Sequence, residues 1–309
     1  MSPTLAAHIA SIEAYERHED AERLSEDLRA AFGSVQAFSE LAELVRCLYP
    51  MCQGLIMPLR PIAEGLWSLQ ERWQDPEERA KTLIFLAALG SPDFPWYFPH
   101  KVEELDLLLR GAPRCPLQSL ILENRSALWS LFDTSNENLK AAAWILHSAS
   151  VVQEPEELEL MLEVWDASQS ETLQASLFLG VFRAGQFLVH QRGRDCMASC
   201  IEILRTRLDP TRTLPSTFCA LALGHLSGHL PDQVSPVLVD ALINPRSLPL
   251  LWCTHERWWS GENTRRVACA LLGKIQVGHP AGILQALNAV NDAERSQALV
   301  AVERQLRGR

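Results

Sequence analysis

One helical phrase recurs along the chain and constrains its fold more than any single residue does. It reads EERAKTLIFLAALG at 77–90, ENLKAAAWILHSA at 137–149, ETLQASLFLGVFRAG at 171–185 and ENTRRVACALLGK at 262–274. Each copy opens on polar residues. Each then places a small or apolar residue (Ala80, Ala141, Ala175, Val267) three and four positions before an apolar pair: Leu83 and Ile84, Trp144 and Ile145, Phe178 and Leu179, Ala270 and Leu271. That spacing is one stripe of a helix, written four times. Self-similarity of this kind signals stacked helical hairpins. Composition agrees, because Leu and Ala, both helix formers, dominate, whereas Val and Ile are scattered rather than alternating.

The remaining segments extend the pattern. Leu5, Ile9 and Ile12 form one stripe, and Leu24, Leu28 and Phe32 another, with a stop and restart at Gly33 and Ser34. The stretch YPMCQGLIMPLRP at 49–61 is a break, and a helix at about 62–73 follows it. Asp75-Pro76 then opens the first phrase with proline in the first turn. Helices are expected at about 101–110 and at 116–132, with a break near Asn124. From 136 onward the hairpins are clearest: 137–149 with 155–166, 171–184 with 195–208, 214–226 with 232–243, and 262–276 with 280–290, closed by 293–307. Short connections carrying Pro or Gly join them, as antiparallel neighbours require. Two segments break the rhythm, SPDFPWYFPHK at 91–101 and SLPLLWCTHERWWSG at 247–261.

A period of about 40 residues with two helices per unit resembles the HEAT-repeat family, well over 136–309 and loosely over 62–135. The resemblance implies an all-α, right-handed α-solenoid of stacked antiparallel hairpins. It would be continuous, with an N-terminal helical cap at 1–60, irregular repeats at 61–135 and HEAT-like repeats at 136–309. The Asp and Arg that often mark the turn and second helix in that family are not regularly placed here.

Composition narrows the function classes. The net charge of −10, from 28 basic and 38 acidic residues, disfavours a non-specific hold on nucleic acid and suits a basic partner. The N-terminal segment does not read as a secretory signal, and no apolar run approaches the roughly 18 residues of a membrane span. Eight scattered cysteines without a CxxC read as buried thiols in a reducing cytoplasm. Cys196 and Cys200 share a helical face, but two thiols do not close a zinc site, so neither a metal nor a cofactor is expected.

Three places could carry specificity. The helix EPEELELMLEVWD at 154–166 buries Leu158, Met161, Leu162 and Trp165 and leaves an acidic remainder that includes Glu156, Glu159 and Glu163. The resemblance places such second helices on a concave face. The acids are then either a solvated surface or a docking strip for a basic segment. Arg192, Arg194, Arg205 and Arg207 follow, either as a basic stripe or as ion pairs between neighbouring repeats. The insertions supply Trp96 and Tyr97, and His255, Glu256, Trp258 and Trp259 beside Trp252 and Cys253. These either seal the stack, form a ligand rim, or place a His for acid–base chemistry.

Two enzymatic HEAT-like families fail on residues. Deoxyhypusine hydroxylase builds its iron site from several His-Glu pairs, and only His18-Glu19 and His255-Glu256 occur here, outside the phrases. The alkylpurine DNA glycosylases use Trp and Asp over a basic groove. Here Trp144, Trp165 and Asp166 accompany an acidic helix. No phosphate-loop, dinucleotide, nucleophile-elbow or HExxH motif is present. The expectation is therefore a non-enzymatic protein-binding module, an adaptor, scaffold or immunity-type binder of bacterial kind. The alternatives are an enzyme or small-molecule site at Trp252–Trp259 and, weaker, a nucleic-acid binder.

Overall fold

The helices begin where the sequence supplies a cap. Ser2 accepts the Leu5 amide on its hydroxyl at 3.2 Å. Asp75 accepts that of Glu77 at 2.9 Å, and Asn136 that of Leu139 at 2.8 Å. Each satisfies an amide that the first turn leaves without a helical partner. Proline occupies the first turn at Pro3, Pro76, Pro116, Pro155 and Pro231, where its missing N–H costs nothing.

The computed structural model describes residues 2–15, 21–51, 58–88, 116–151, 155–168, 170–188, 194–226, 231–248 and 261–274. Among them are fourteen α-helices, one 3-10 turn at Leu131–Asp133 and no strand. The chain divides into two units, Met1–Leu146 and His147–Arg309. The helices of the first are α1 (Pro3–Glu13), α2 (Ala21–Ser34), α3 (Phe38–Met51), α4 (Leu59–Arg72), α5 (Pro76–Ala88), α6 (Pro116–Glu123) and α7 (Arg125–Ser130). Then come α8 (Glu137–Val151), within which the boundary falls, and, in the second unit, α9 (Pro155–Ala167), α10 (Glu171–Leu188), α11 (Arg194–Arg205), α12 (Thr213–Leu226), α13 (Pro231–Ile243) and α14 (Gly261–Lys274). The break expected near Asn124 is present. The break at 49–61 is narrower than expected. Helix α3 runs through Pro50, and α4 starts early enough to hold Pro61 in its first turn. The helices expected at 101–110, 280–290 and 293–307 lie outside the described residues.

In the first unit α1 packs on α2 and α3, α2 on α3 and α4, and α4 on α5 and α6. Leu5, Ile9, Ile12, Leu24, Leu28 and Phe32 are buried as their spacing implies. Gly65 of α4 meets Phe32 of α2 so closely that an added Cβ would stand 2.4 Å from Phe32 Cγ and 2.6 Å from its Cβ. Those atoms are the root of the side chain and cannot swing aside. In the second unit α10 packs most extensively on α12 and α12 packs also on α14, while α9 packs on α11. Helix α12 thus contacts both α10 and α14, two of the helices that carry the phrase, and α13 lies against both α12 and α14.

In three of the four phrase copies, and in α12, burial extends beyond one stripe. Residues 82–87 of α5, 141–148 of α8, 173–182 of α10 and 215–224 of α12 are buried without interruption, so these helices are enclosed around their whole circumference. Their many Ala, Ser, Gly and Cys residues let neighbouring axes approach. Three of the buried hydroxyls are satisfied within their own helices: Thr82 donates to Glu78 O at 2.8 Å, Ser176 to Thr172 O at 2.7 Å and Thr217 to Thr213 O at 2.8 Å. Cys200, Cys219 and Cys269 are buried thiols, and burial pushes the Cys219 thiol far up.

Glu40 fastens two helix starts. Its carboxylate accepts the Ser2 amide at 2.6 Å and the Gln36 amide at 2.9 Å. The bonds from Gln36 and then Ser2 hold it below the ordinary 4.5. A depressed folded value contributes stability above the unfolded value, lost as pH falls through the folded one. The melting-temperature gap between wild type and Glu40→Gln is expected to be widest near neutrality and to close below about pH 4.5. A gap that stays constant into acid would contradict this role. Gly65 and Gly224, both within helices, give opposite expectations. Gly65→Ala is expected to cost about 1–3 kcal/mol in urea unfolding through the clash with Phe32. Gly224→Ala, whose new methyl meets Leu238, Leu271 and Val234 at an ordinary 3.5 Å, is expected to be neutral or to stabilise by up to about 1 kcal/mol.

Candidate docking surface

Helix α9 buries the four residues that its spacing selects, Leu158, Met161, Leu162 and Trp165. Trp165 sets its ring edge-on to Phe178 of α10, centroids 5.5 Å apart, and the Arg212 guanidinium lies 5.4 Å from its centroid. Gln174 of α10, itself buried, donates its amide to Trp165 O at 3.3 Å and Ser168 O at 2.7 Å, and accepts from Arg212 on its side-chain oxygen. These bonds set the rotation of α9 about its axis and so decide what it shows to solvent.

The exposed face carries two lanes. Glu159 and Glu163 stand one turn apart, and Leu160 and Val164 form a second pair about 100° further round the helix. Leu160 is 40% and Val164 39% exposed, large values for aliphatic side chains outside any core. Glu156 and Ala167, both exposed, lie between the lanes. Among the described residues none of Glu156, Glu159 and Glu163 has an ion-pair partner. The flanking acids behave differently. Glu157, beside the aliphatic lane, approaches the buried His147 of α8 at 3.8 Å. Asp166, which continues the acidic lane, pairs with Arg207 at 3.0 Å. The acidic lane therefore flanks α11, and Val164 lies nearly opposite.

Of the four arginines, the two whose side chains are described, Arg205 and Arg207, are both ion-paired. Arg205 grips Glu202 of its own helix with two bonds, 3.1 and 2.6 Å, and that carboxylate raises its pKa. Arg207 neutralises Asp166. Arg192 and the side chain of Arg194 lie outside the described residues.

Further along, a cleft of about 700 Å³ is lined by Arg205, Leu208, Ser216, Pro236, Asp240 and Arg246, among others. Its ionic groups also satisfy one another. Arg246 donates to Asp240 at 2.6 Å and to Thr217 at 3.2 Å. For Asp240 partial burial pushes upward, yet the bonds from Asn244 and Arg246 outweigh it and hold the carboxyl below its usual range. The Ser216 hydroxyl donates to Asp209 O, so its proton is engaged with the backbone.

Other expected positions separate clearly. Trp96, Tyr97, His255, Glu256, Trp258 and Trp259 lie outside the described residues, as do Trp252 and Cys253. The two ends of the second insertion meet: the Gly261 amide donates to Ser247 Oγ at 2.8 Å, and Thr264 to Arg246 O at 2.8 Å. The Trp-and-Asp likeness to the glycosylases dissolves, because Trp144 and Trp165 are core residues and Asp166 is held by Arg207. Among the described residues no group of His, Cys, Asp and Glu has the geometry of a metal site, and no helix is long and apolar enough to cross a membrane. Leu160 and Val164 are the surface residues that sequence reasoning passed over. Their signal was an aliphatic pair at i, i+4 outside the core stripe. Comparison with protein-family models and with curated proteins gives no match.

The Asp166–Arg207 pair, half-exposed on the carboxylate side, is expected to couple weakly. A double-mutant cycle with Asp166→Asn and Arg207→Gln should give about 0.2–1 kcal/mol. Coupling of several kcal/mol would mean that this pair is a structural clamp rather than a neutralised edge.

Proposed function

We propose that this chain is a non-enzymatic helical-repeat module that binds another protein carrying a basic segment. Enclosed helices that pack on one another, with amphipathic second helices beside them, support a stacked-hairpin architecture of the HEAT-like kind. Such stacks display extended surfaces because each unit contacts only its neighbours. The observation that carries the reading is the exposed face of α9, where Glu156, Glu159 and Glu163 are unpaired among the described residues while Arg205 and Arg207 nearby each have an acid of their own. Uncompensated surface charge of one sign steers a partner of the other and selects against like-charged proteins.

The test is affinity isolation from the native source followed by titration of the purified pair. The expected partner binds at micromolar concentration or below, weakens with added salt, and loses about tenfold or more in affinity to the Glu156→Gln, Glu159→Gln, Glu163→Gln triple variant. No specific protein partner at micromolar concentration would overturn the reading.

A further inference from the structure

Resting on that reading, we infer that the occupant of α9 is an amphipathic helix that lays aliphatic side chains along Leu160 and Val164 and Lys or Arg side chains along Glu159 and Glu163. Three observations support it. The two lanes run parallel to the axis of α9, and each repeats once per turn, the spacing that a second helix presents on one face. The aliphatic lane is exposed although the opposite flank of α9 is engaged through Asp166 and Arg207, so this helix has one satisfied side and one open side. The rotation of the face is fixed from beneath by Trp165, Gln174 and Arg212, so the lanes form a rigid surface. Leu and Val give apolar area to be covered, and the adjacent acids set the sign and the lateral register of what covers it.

Charge complementarity decides among occupants. The same face on a second copy would bring Glu159 and Glu163 against their counterparts, which like-charge repulsion disfavours. Nucleic acid meets the same objection. A basic amphipathic helix satisfies both lanes at once.

The probe is a fluorescein-labelled synthetic peptide of roughly 15 residues, long enough to form a helix on binding. It carries Leu at i, i+4 spacing and Lys in the adjacent lane. Its control has the same composition with positions scrambled to remove the lanes. Binding to the full chain is followed by fluorescence anisotropy at low salt. The patterned peptide is expected to bind at least about tenfold more tightly than the scrambled one. The double variants Leu160→Ser with Val164→Ser, and Glu159→Gln with Glu163→Gln, are each expected to weaken it about tenfold. All four side chains are exposed, so thermal unfolding should be unchanged and the loss belongs to the surface. Equal binding of both peptides, or indifference to both double variants, would overturn the proposal. So would self-association of the chain that Leu160→Ser with Val164→Ser abolishes, because a second copy would then be the occupant. A native partner whose affinity survives both double variants would leave the protein-binding reading standing and remove this face from it. Absence of any native partner would remove the reading itself.

Discussion

Complete enclosure of α5, α8, α10 and α12 along their central turns is the constraint on which the rest of the structure depends. A helix buried on every side has no solvent to satisfy a stray hydroxyl and no free flank on which to place a bulky side chain. These four helices meet both demands with Ala, Gly, Cys and Ser, and with the Thr82, Ser176 and Thr217 hydroxyls turned back to the carbonyl one turn before. Buried Phe and Leu supply the stabilising area, each worth about 1.5–3 kcal/mol against exposure. A row of this kind is rigid because almost any enlargement collides with a neighbour. Gly65 against Phe32 shows the same rule in the first unit, at a single crossing.

Enclosed helices cannot recognise anything, so display falls to their companions. Helix α9 divides its circumference between a core stripe and an exposed face, and the described side chains of α11 and α13 divide in the same way. What distinguishes α9 is the residue of charge left after internal pairing. Glu202 has Arg205, Asp240 has Arg246 and Asp166 has Arg207. The acids at 156, 159 and 163 have no such partner among the described residues, and aliphatic side chains stand beside them. Solvated carboxylates next to exposed Leu and Val form a surface that a basic, partly apolar segment can cover with gain on both counts.

Much of this was legible in the residues. Periodicity placed the described helices to within a few positions, because caps and prolines act locally and need no tertiary information. The stripe Leu158, Met161, Leu162 and Trp165 was equally plain. The circumferential burial of α8, α10 and α12 was not, since an apolar pair on a small-residue helix reads as one stripe until neighbours close the other sides. Pairing of the arginines was open for a similar reason: the Arg207 and Asp166 side chains meet across 41 positions of sequence. Glu157 likewise looked like one more solvated acid, and only the hairpin brings it to the buried His147. Leu160 and Val164 were visible as letters, but exposure is a property of rotation, and Trp165, Gln174 and Arg212 set that rotation through contacts with α10 and the turn beyond α11.

The account rests on one division of α9, between a face locked against the core and a face open to water. Hydroxyl-radical footprinting of the native chain, read residue by residue by mass spectrometry, measures it directly. Met161 and Trp165 are intrinsically the more reactive side chains, yet they should be protected, while Leu160 and Val164 are oxidised far more readily than the buried Leu158 and Leu162. Protection of Leu160 and Val164 equal to that of Leu158 and Leu162 would contradict the account, because the face would then already be covered.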